Sequence, residues 1–308
     1  MNWARLLGKK SVPVLCYHNL GGNGVPRESF AQQMRWLKDN DVRTLGQREL
    51  RLFLAGDPLE RPSVMITFDD GFRDLYTFAR PLLKQLGLCA TVFVINDRMR
   101  PDNEPGFDGE IVAHQAHLDF LLNQNRSPWL SWQELKEMLE EGVFETGSHS
   151  STHGMGPGSK PELVELPDHW AYARLCGQHG PHSKLVPELS RPLWLAQEQR
   201  QETTQGFFSR VKKDLQDSRN ELESKLMRPV EAFAWPWGES QSTAEQAAEE
   251  AGLKLRFTLK RGTVRRGTPP GDIPRLEVRR NKGLNWFASR VALYSRPWMA
   301  ALYSSTRI

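Results

Sequence analysis

The stretch SVMITFDDGF, residues 63–72, joins an apolar run to two adjacent carboxylates and a glycine. The apolar part from Val64 to Phe68 predicts a buried strand, because short apolar runs bounded by turn residues are typical of covered sheets. Asp69 and Asp70 follow it directly. Neighbouring carboxylates repel each other, and burying either one without a partner costs free energy. A bound metal ion is a common partner for such a pair, so this strand end is predicted to carry a metal ligand.

A second polar segment, ETGSHSSTH at residues 145–153, also follows a short apolar run and contains two histidines four residues apart. Histidine nitrogens and carboxylate oxygens bind zinc and similar divalent metals, and a catalytic site keeps one position open for water. We therefore predict that Asp70, His149 and His153 bind a divalent metal, zinc first, with nickel or cobalt as alternatives. Asp69 then remains free to act as a general base on the attacking water.

Strand-like and helix-like segments alternate up to about residue 282, which predicts an α/β fold with a parallel sheet or barrel. In such folds the functional residues lie at the C-terminal ends of the strands. His18 follows one apolar run, and the turn Trp235-Pro236-Trp237 follows another. We expect all these residues to meet at one mouth, with His18 as the candidate general acid for the leaving group.

Three stretches between the strands are less regular. Residues 96–128 and 155–187 are rich in Pro and Gly, and we predict that they are inserted loops. Residues 191–227 predict a helix, in one or two pieces. His114 and His117 have the spacing of a metal-binding pair, but we do not expect a second metal there.

Charge is distributed unevenly along the 308 residues. The formal net charge is +4, yet from Lys254 onward thirteen basic residues stand against two acidic ones. This excess predicts an anionic partner. Within it, residues 284–303 are aromatic, basic and free of acidic residues. Two structures fit that pattern: a helix in an anionic membrane interface, which we favour, and a helix packed on the barrel.

The chain has three cysteines and no C-x-x-C spacing, which is typical of a reducing compartment. The first ten residues do not form a secretory signal, and no run approaches the ~20 apolar residues that a spanning helix requires. We therefore expect a cytoplasmic location, with peripheral binding to the inner face of the cytoplasmic membrane if residues 284–303 are interfacial.

TFDDG at residues 67–71, together with His149-x-x-x-His153, resembles the polysaccharide deacetylases of the NodB-homology group, carbohydrate esterase family four. The resemblance covers most of residues 11–282. It implies a distorted (β/α) barrel of about seven parallel strands. It also implies hydrolysis of an acetamido sugar to a free amine and acetate.

In that family the first aspartate is the base, the second aspartate and two histidines hold a divalent metal, and an aromatic-proline-aromatic turn lines the sugar groove. The matching residues in this chain are Asp69 as base, Asp70, His149 and His153 as metal ligands, and Trp235, Pro236 and Trp237 as substrate-binding residues.

Two departures from the commonest family pattern concern the residues that assist the base and the leaving group. Ala234 stands where the family usually carries an arginine that orients the base, and there is no Leu-x-His near the C-terminus. Both fit a circularly permuted branch that opens with Pro-Val-Leu-x-Tyr-His, here residues 13–18. His18 then takes the place of the acid, and Arg275 is the candidate to orient Asp69.

The sequence thus predicts a catalytic domain over residues 11–282, followed by a basic aromatic segment over residues 283–308. The predicted function is metal-dependent removal of an N-acetyl group from an amino sugar of a polysaccharide, a lipopolysaccharide or a lipid-linked glycan precursor. Deformylation of a lipid-linked formamido sugar and a non-catalytic glycan-binding pseudoenzyme are the alternatives. Because the site points to sugar, no nucleic-acid partner is expected.

Overall fold

A barrel of parallel strands forms the framework that positions the polar strand ends. The computed structural model describes residues 3–163, 165–175 and 180–305, so Cys176 and the last three residues of the predicted C-terminal segment lie outside the described residues. The strands are β1 (Ser11–Val12), β2 (Val14–Tyr17), β3 (Arg43–Thr44), β4 (Ser63–Phe68), β5 (Ala90–Val94), β6 (Phe144–Ser148), β7 (Met155–Pro157), β8 (Leu185–Pro187), β9 (Trp194–Leu195), β10 (Arg200–Gln201), β11 (Ala232–Ala234), β12 (Leu255–Thr258), β13 (Val264–Arg265), β14 (Ile273–Pro274) and β15 (Leu276–Glu277). The helices are α1 (Arg27–Asp39), α2 (Gln47–Ala55), α3 (Arg80–Leu86), α4 (Ala113–Asn123), α5 (Trp132–Glu140), α6 (Thr204–Leu226), α7 (Ser242–Glu250), α8 (Leu284–Tyr294) and α9 (Pro297–Ser305).

Eight strand segments pair side by side in parallel. Their order is β15, β2, β4, β5, β6, β11, β12 and β14. The two ends of this row, β14 and β15, are separated in sequence only by Arg275, so the ring is nearly closed. Counted as one interrupted strand, they bring the total to seven, and the predicted distorted barrel of about seven strands is confirmed.

Strand β4 shows why these short runs form the barrel. All six of its residues are buried. Ile66 and Phe68 join the core that packs against the outer helices, whereas Met65 joins the core inside the barrel. A strand covered on both faces needs apolar side chains at successive positions, as this run has.

Register places the ends of neighbouring strands at the same level. Tyr17 is paired with Phe68, and Ser148 is paired with both Val94 and Phe233. The residues that follow these strands therefore emerge together at the C-terminal edge of the barrel.

The two predicted insertions are more ordered than expected. Residues 96–128 contain α4, eleven residues long, and this corrects the prediction of an irregular loop. Within residues 155–187, β7 and β8 pair antiparallel, and Trp170–Leu175 forms a short 3₁₀ helix. Frequent Pro and Gly concealed these elements in the sequence.

The predicted helix over residues 191–227 begins later than expected. α6 starts at Thr204, whose neighbour Thr203 caps it by accepting a hydrogen bond from the backbone N–H of Gly206. The helix continues unbroken to Leu226, and the residues before it contain the antiparallel pair of β9 and β10.

The first helix of the C-terminal segment, α8, packs against the barrel. Phe287 and Val291 of α8 are 1 % exposed and belong to the same core as the outer faces of the strands. For α8 the packed-helix alternative is the one observed, and the boundary at residue 283 stays a prediction. α9 differs, because Trp298 and Leu302 are 65 % and 62 % exposed. Among the described residues, none of the helices combines the length and apolarity that crossing a membrane requires.

Candidate active site

Asp69 is fixed at the end of β4 by a buried guanidinium. Arg275 binds it through both nitrogens, with Nη1–Oδ1 at 2.6 Å and Nη2–Oδ2 at 2.7 Å. Both residues are 2 % exposed. Burial alone would raise the pKa of the Asp69 carboxyl, but the charges of Arg275 and His149 lower it to about 2. The carboxylate is therefore ionised and held in one orientation near neutral pH.

Asp70 faces the same cleft because the chain turns immediately after the strand. Regular alternation would send neighbouring side chains to opposite faces. Here Asp70 and Gly71 adopt left-handed backbone conformations, with φ of +70° and +74°. Asp70 then lies with His149 and His153 in a buried set whose ligand atoms are all within 4.8 Å of one another.

Each of the two histidines has a ring nitrogen available to a metal. His149 donates from Nδ1 to the carbonyl oxygen of Ala234 over 2.8 Å, which leaves Nε2 directed at the carboxylates. Such a bond to the second ring nitrogen is the usual support for a metal-binding histidine. His153 carries a buried Nδ1 atom without a hydrogen-bond partner among the described residues.

Protonation also suits a cation. Burial opposes ionisation of Asp70, but the hydrogen bond and charge of His117 hold the pKa of that carboxyl well below its usual range. Burial and the charge of His149 lower the pKa of His153 well below its ordinary value. A charged carboxylate and a neutral imidazole are the forms that bind metals, so the three residues fit a divalent ion.

His18 emerges from β2 on the other side of Asp69. It is half-buried, and its ligand atoms lie within 4.8 Å of those of Asp69 and Cys16. The Cys16 thiol lies 3.5 Å from Asp69 Oδ2, and burial raises the pKa of the thiol well above its ordinary value. His18 therefore lies beside Asp69 and also lines the open cleft.

The three residues of the aromatic-proline turn are separated by the fold. Trp237 lines the cleft and stacks on Trp170, with ring centroids 5.4 Å apart. Trp235 is fully buried against Phe233, and Pro236 is buried beside it. Of these three residues, Trp237 alone lines the cleft, and this corrects the prediction that Trp235 and Pro236 line a sugar groove.

The residues meet in an open cleft of about 780 Å³. Aromatic and imidazole rings line one side, and Glu277, Arg279 and Arg280 line another. Most of the lining side chains are polar, charged or aromatic, so the cleft offers a ligand both hydrogen-bonding groups and ring faces.

Sequence reasoning missed the contributions of the two insertions. His117 of α4 places Nε2 3.5 Å from Asp70 Oδ2, and Trp170 stacks on the His117 ring with centroids 4.5 Å apart. The helical spacing of Ala113, Ala116 and Phe120, with His117 on the same face, was the signal that could have identified α4.

Known proteins resemble this chain in sequence and in fold. The family model for polysaccharide deacetylase matches residues 56–255. The Bacillus subtilis protein YxkH, a predicted polysaccharide deacetylase, is 32% identical over 164 residues, which are 50% of this chain and 49% of that protein. The poly-beta-1,6-N-acetyl-D-glucosamine N-deacetylase of Escherichia coli K12 is 23% identical over 270 residues, 87% of this chain and 35% of that enzyme.

The chain therefore spans about half the length of the first of these relatives and about a third of the second. Among solved structures, the deacetylase domain of BpsB from Bordetella bronchiseptica superposes with a TM-score of 0.67 at 21% identity. That match covers 87% of this chain and 96% of the domain.

Proposed function

Since the chain belongs to the polysaccharide deacetylase family, we propose that it is a metal-dependent hydrolase that removes an N-acetyl group from an amino sugar of a glycan. The observation that carries the proposal is the buried Asp69–Arg275 pair next to the set of Asp70, His149 and His153. An oriented, ionised carboxylate beside a cation site is suited to amide hydrolysis by water.

We assign the cation to Asp70, His149 and His153, with zinc as the proposed ion and nickel or cobalt as alternatives. When bound, it supplies Lewis-acid polarisation of the amide carbonyl and lowers the pKa of the attacking water. Asp69 takes a proton from that water as its oxygen bonds to the carbonyl carbon. Arg275 holds the carboxylate in place during this transfer.

The leaving group requires a proton as the C–N bond breaks. His18 is the proposed donor, because it lies on the opposite side of Asp69 from the metal ligands and opens onto the cleft. The products are acetate and a free amine on the sugar. Trp237 and Trp170 form an apolar wall suited to the face of a sugar ring.

For the finer identity of the substrate, we propose a glycan precursor attached to a lipid. Arg279 and Arg280 line the cleft and favour an anionic group such as a phosphate. Trp298 and Leu302, one helical turn apart on α9, are exposed in a sequence without acidic residues after Glu277. Such a surface is suited to an anionic membrane, and we propose peripheral binding to the inner face of the cytoplasmic membrane.

Deformylation and non-catalytic glycan binding are the two alternative functions. Deformylation would use the same base, acid and cation and would differ only in the acyl group. The lack of an arginine at position 234 would favour a glycan-binding pseudoenzyme if Asp69 had no other guanidinium partner. Arg275 supplies that guanidinium, so Ala234 does not favour the pseudoenzyme.

Mass spectrometry of surface glycans and lipid-linked intermediates from a deletion strain tests the proposed function. The deletion strain should retain an acetyl group on one amino sugar, and the gene encoding the wild-type protein should restore the free amine. A retained formyl group would favour the deformylase instead. Identical glycans and intermediates in both strains would contradict the proposal.

A further inference from the structure

The carboxylate of Asp70 lies between two histidines that contact different oxygens. His149 Nε2 is 3.6 Å from Oδ1, and His117 Nε2 is 3.5 Å from Oδ2. His149 belongs to the barrel edge, whereas His117 belongs to α4 in the first insertion. The insertion therefore reaches one oxygen of the predicted metal-binding carboxylate.

The ring of His117 is held in place on several sides. Trp170 stacks on it with centroids 4.5 Å apart and planes 14° apart. Phe72 and Trp129 meet it edge to face, at 5.6 and 5.4 Å. His117 is 3 % exposed, and its Nδ1 atom is buried. The packing fixes the direction in which Nε2 points.

The surroundings also select the ring nitrogen that carries the proton. Nδ1 of His117 is buried and has no hydrogen-bond partner among the described residues. Nε2 faces the Asp70 carboxylate, which can only accept when ionised. An unpaired buried donor costs free energy, so the proton belongs on Nε2, where Oδ2 can accept it.

A direct ligand role fits the geometry less well. The set of ligand atoms within 4.8 Å of one another contains Asp70, His149 and His153, and among the described residues His117 does not extend it. We propose that His117 is a positioning residue that occupies Oδ2 of Asp70, so that the carboxylate offers the cation only Oδ1. This inference rests on the proposed function, because it assigns Asp70 to the metal.

The consequence concerns how tightly the ion binds. A carboxylate free to rotate would have to be ordered when an ion binds, and this ordering costs binding free energy. Second partners of metal ligands commonly contribute 10- to 100-fold to metal affinity. In this protein the second partner of Asp70 is His117, which lies on α4 in the first insertion and stacks on Trp170. We therefore expect the metal affinity to depend on a segment outside the barrel.

Zinc affinity, measured by competition with a chelator on metal-free protein, tests the inference. His117→Phe keeps an aromatic ring against Trp170 but removes the donor, so we expect zinc to bind about 10- to 100-fold more weakly. His117→Gln retains an N–H donor near the Nε2 position and should recover much of the affinity. Gln115→Phe, at an exposed position of the same helix, is the control and should bind zinc like the wild type.

A purely structural histidine would give a different result. His117→Phe would then change the thermal unfolding of the metal-free protein while leaving zinc affinity at the wild-type value, and that outcome overturns the inference. If the phenylalanine variant does not fold, His117→Leu provides the same comparison. A wild-type protein that binds no stoichiometric zinc would contradict the proposed function itself, which separates the two failures.

Discussion

Arg275 binds both carboxylate oxygens of Asp69, at 2.6 and 2.7 Å, across 206 residues of sequence. It stands between β14 and β15, the two segments that meet where the ring of strands is nearly closed, so the position next to this junction also holds the Asp69 carboxylate. The contact also supplies the guanidinium that the family usually carries at the position of Ala234.

Arg275→Met removes the positive charge of this arginine but keeps a long side chain in the same space. Without the guanidinium, burial raises the pKa of Asp69 from about 2, and the base becomes protonated at a higher pH. We expect kcat to fall by about 10²- to 10⁴-fold. The acid limb of the pH–rate profile should move to higher pH. Steady-state kinetics between pH 4 and 9 measures both effects.

Arg256→Met is the matched control for this change. Arg256 is also buried and pairs with a carboxylate, Glu245 at 2.7 Å, but it lies away from the cleft. The Arg256→Met substitution should lower the free energy of unfolding without moving the acid limb of the pH–rate profile. An unshifted acid limb in Arg275→Met would contradict the role given to Arg275.

Substitution of Trp235 should affect mainly stability, whereas substitution of Trp237 should affect mainly substrate binding. Trp235→Ala removes a fully buried ring and should lower the free energy of unfolding by about 3–5 kcal/mol. Trp237→Ala removes a ring that lines the cleft, so it should raise KM with a much smaller effect on stability. Urea unfolding and kinetics on both variants measure the contrast. Equal losses of stability would contradict the placement of the two side chains.

The strand-end residues could be predicted because their signal is local. An apolar run followed by Asp69-Asp70-Gly71, or by a pair of histidines, identifies a covered strand and a polar edge without knowledge of distant contacts. Parallel pairing then brings the edges together, and the register of β4 with β2 does so here.

Other parts of the site depend on long-range contacts that no local pattern encodes. Arg275 reached Asp69 only through closure of the barrel, so it was one candidate among thirteen basic residues. His117 lies in a segment whose Pro and Gly content suggested a loop. Trp237 has a left-handed backbone, with φ of +64°, and this turn separates its side chain from that of Trp235.

The sequence of the C-terminal segment could not predict which of its two helices packs on the barrel. Apolar and aromatic residues such as Phe287 and Trp298 fill a protein core or a membrane interface equally well. The sequence therefore could not assign α8 to the barrel and leave α9 exposed, because that depends on which face meets α1 and the strands.

Asp74 should make stability depend on pH. It is 1 % exposed, accepts a hydrogen bond from the backbone N–H of Leu20 over 2.5 Å, and burial raises its pKa to about 7. An unfolded aspartate has a pKa near 3.9. The folded state therefore binds more protons between these values, and stability falls as pH rises from about 4 to 7.

Asp74→Asn removes the ionisation while keeping an acceptor for Leu20. Its stability relative to the wild type should rise between pH 5 and pH 8, by about 2–3 kcal/mol at most. Urea unfolding at the two pH values measures the change. A difference between the two proteins that is the same at both values would exclude the titration of Asp74 as its cause.

The exposed face of α9 should decide membrane binding. Trp298→Ser combined with Leu302→Ser removes two apolar side chains without touching the buried face of α8, so binding to vesicles of anionic phospholipid should fall several-fold. Leu52→Ser, on an exposed position of α2, is the control. Sedimentation with vesicles measures binding, and equal partitioning of all three proteins would contradict membrane docking by α9.

We propose that Asp69 acts as a base beside a divalent ion held by Asp70, His149 and His153. The most direct test measures acetate released from an N-acetylglucosamine oligomer together with the metal content of each protein. We predict acetate release by the zinc-loaded wild type, its loss on chelation and its return with zinc. Asp69→Asn should retain stoichiometric zinc yet release acetate at least about 10²-fold more slowly. Acetate release at the wild-type rate by Asp69→Asn would contradict the role of Asp69 as base. The same rate in metal-free protein would contradict the role of the ion.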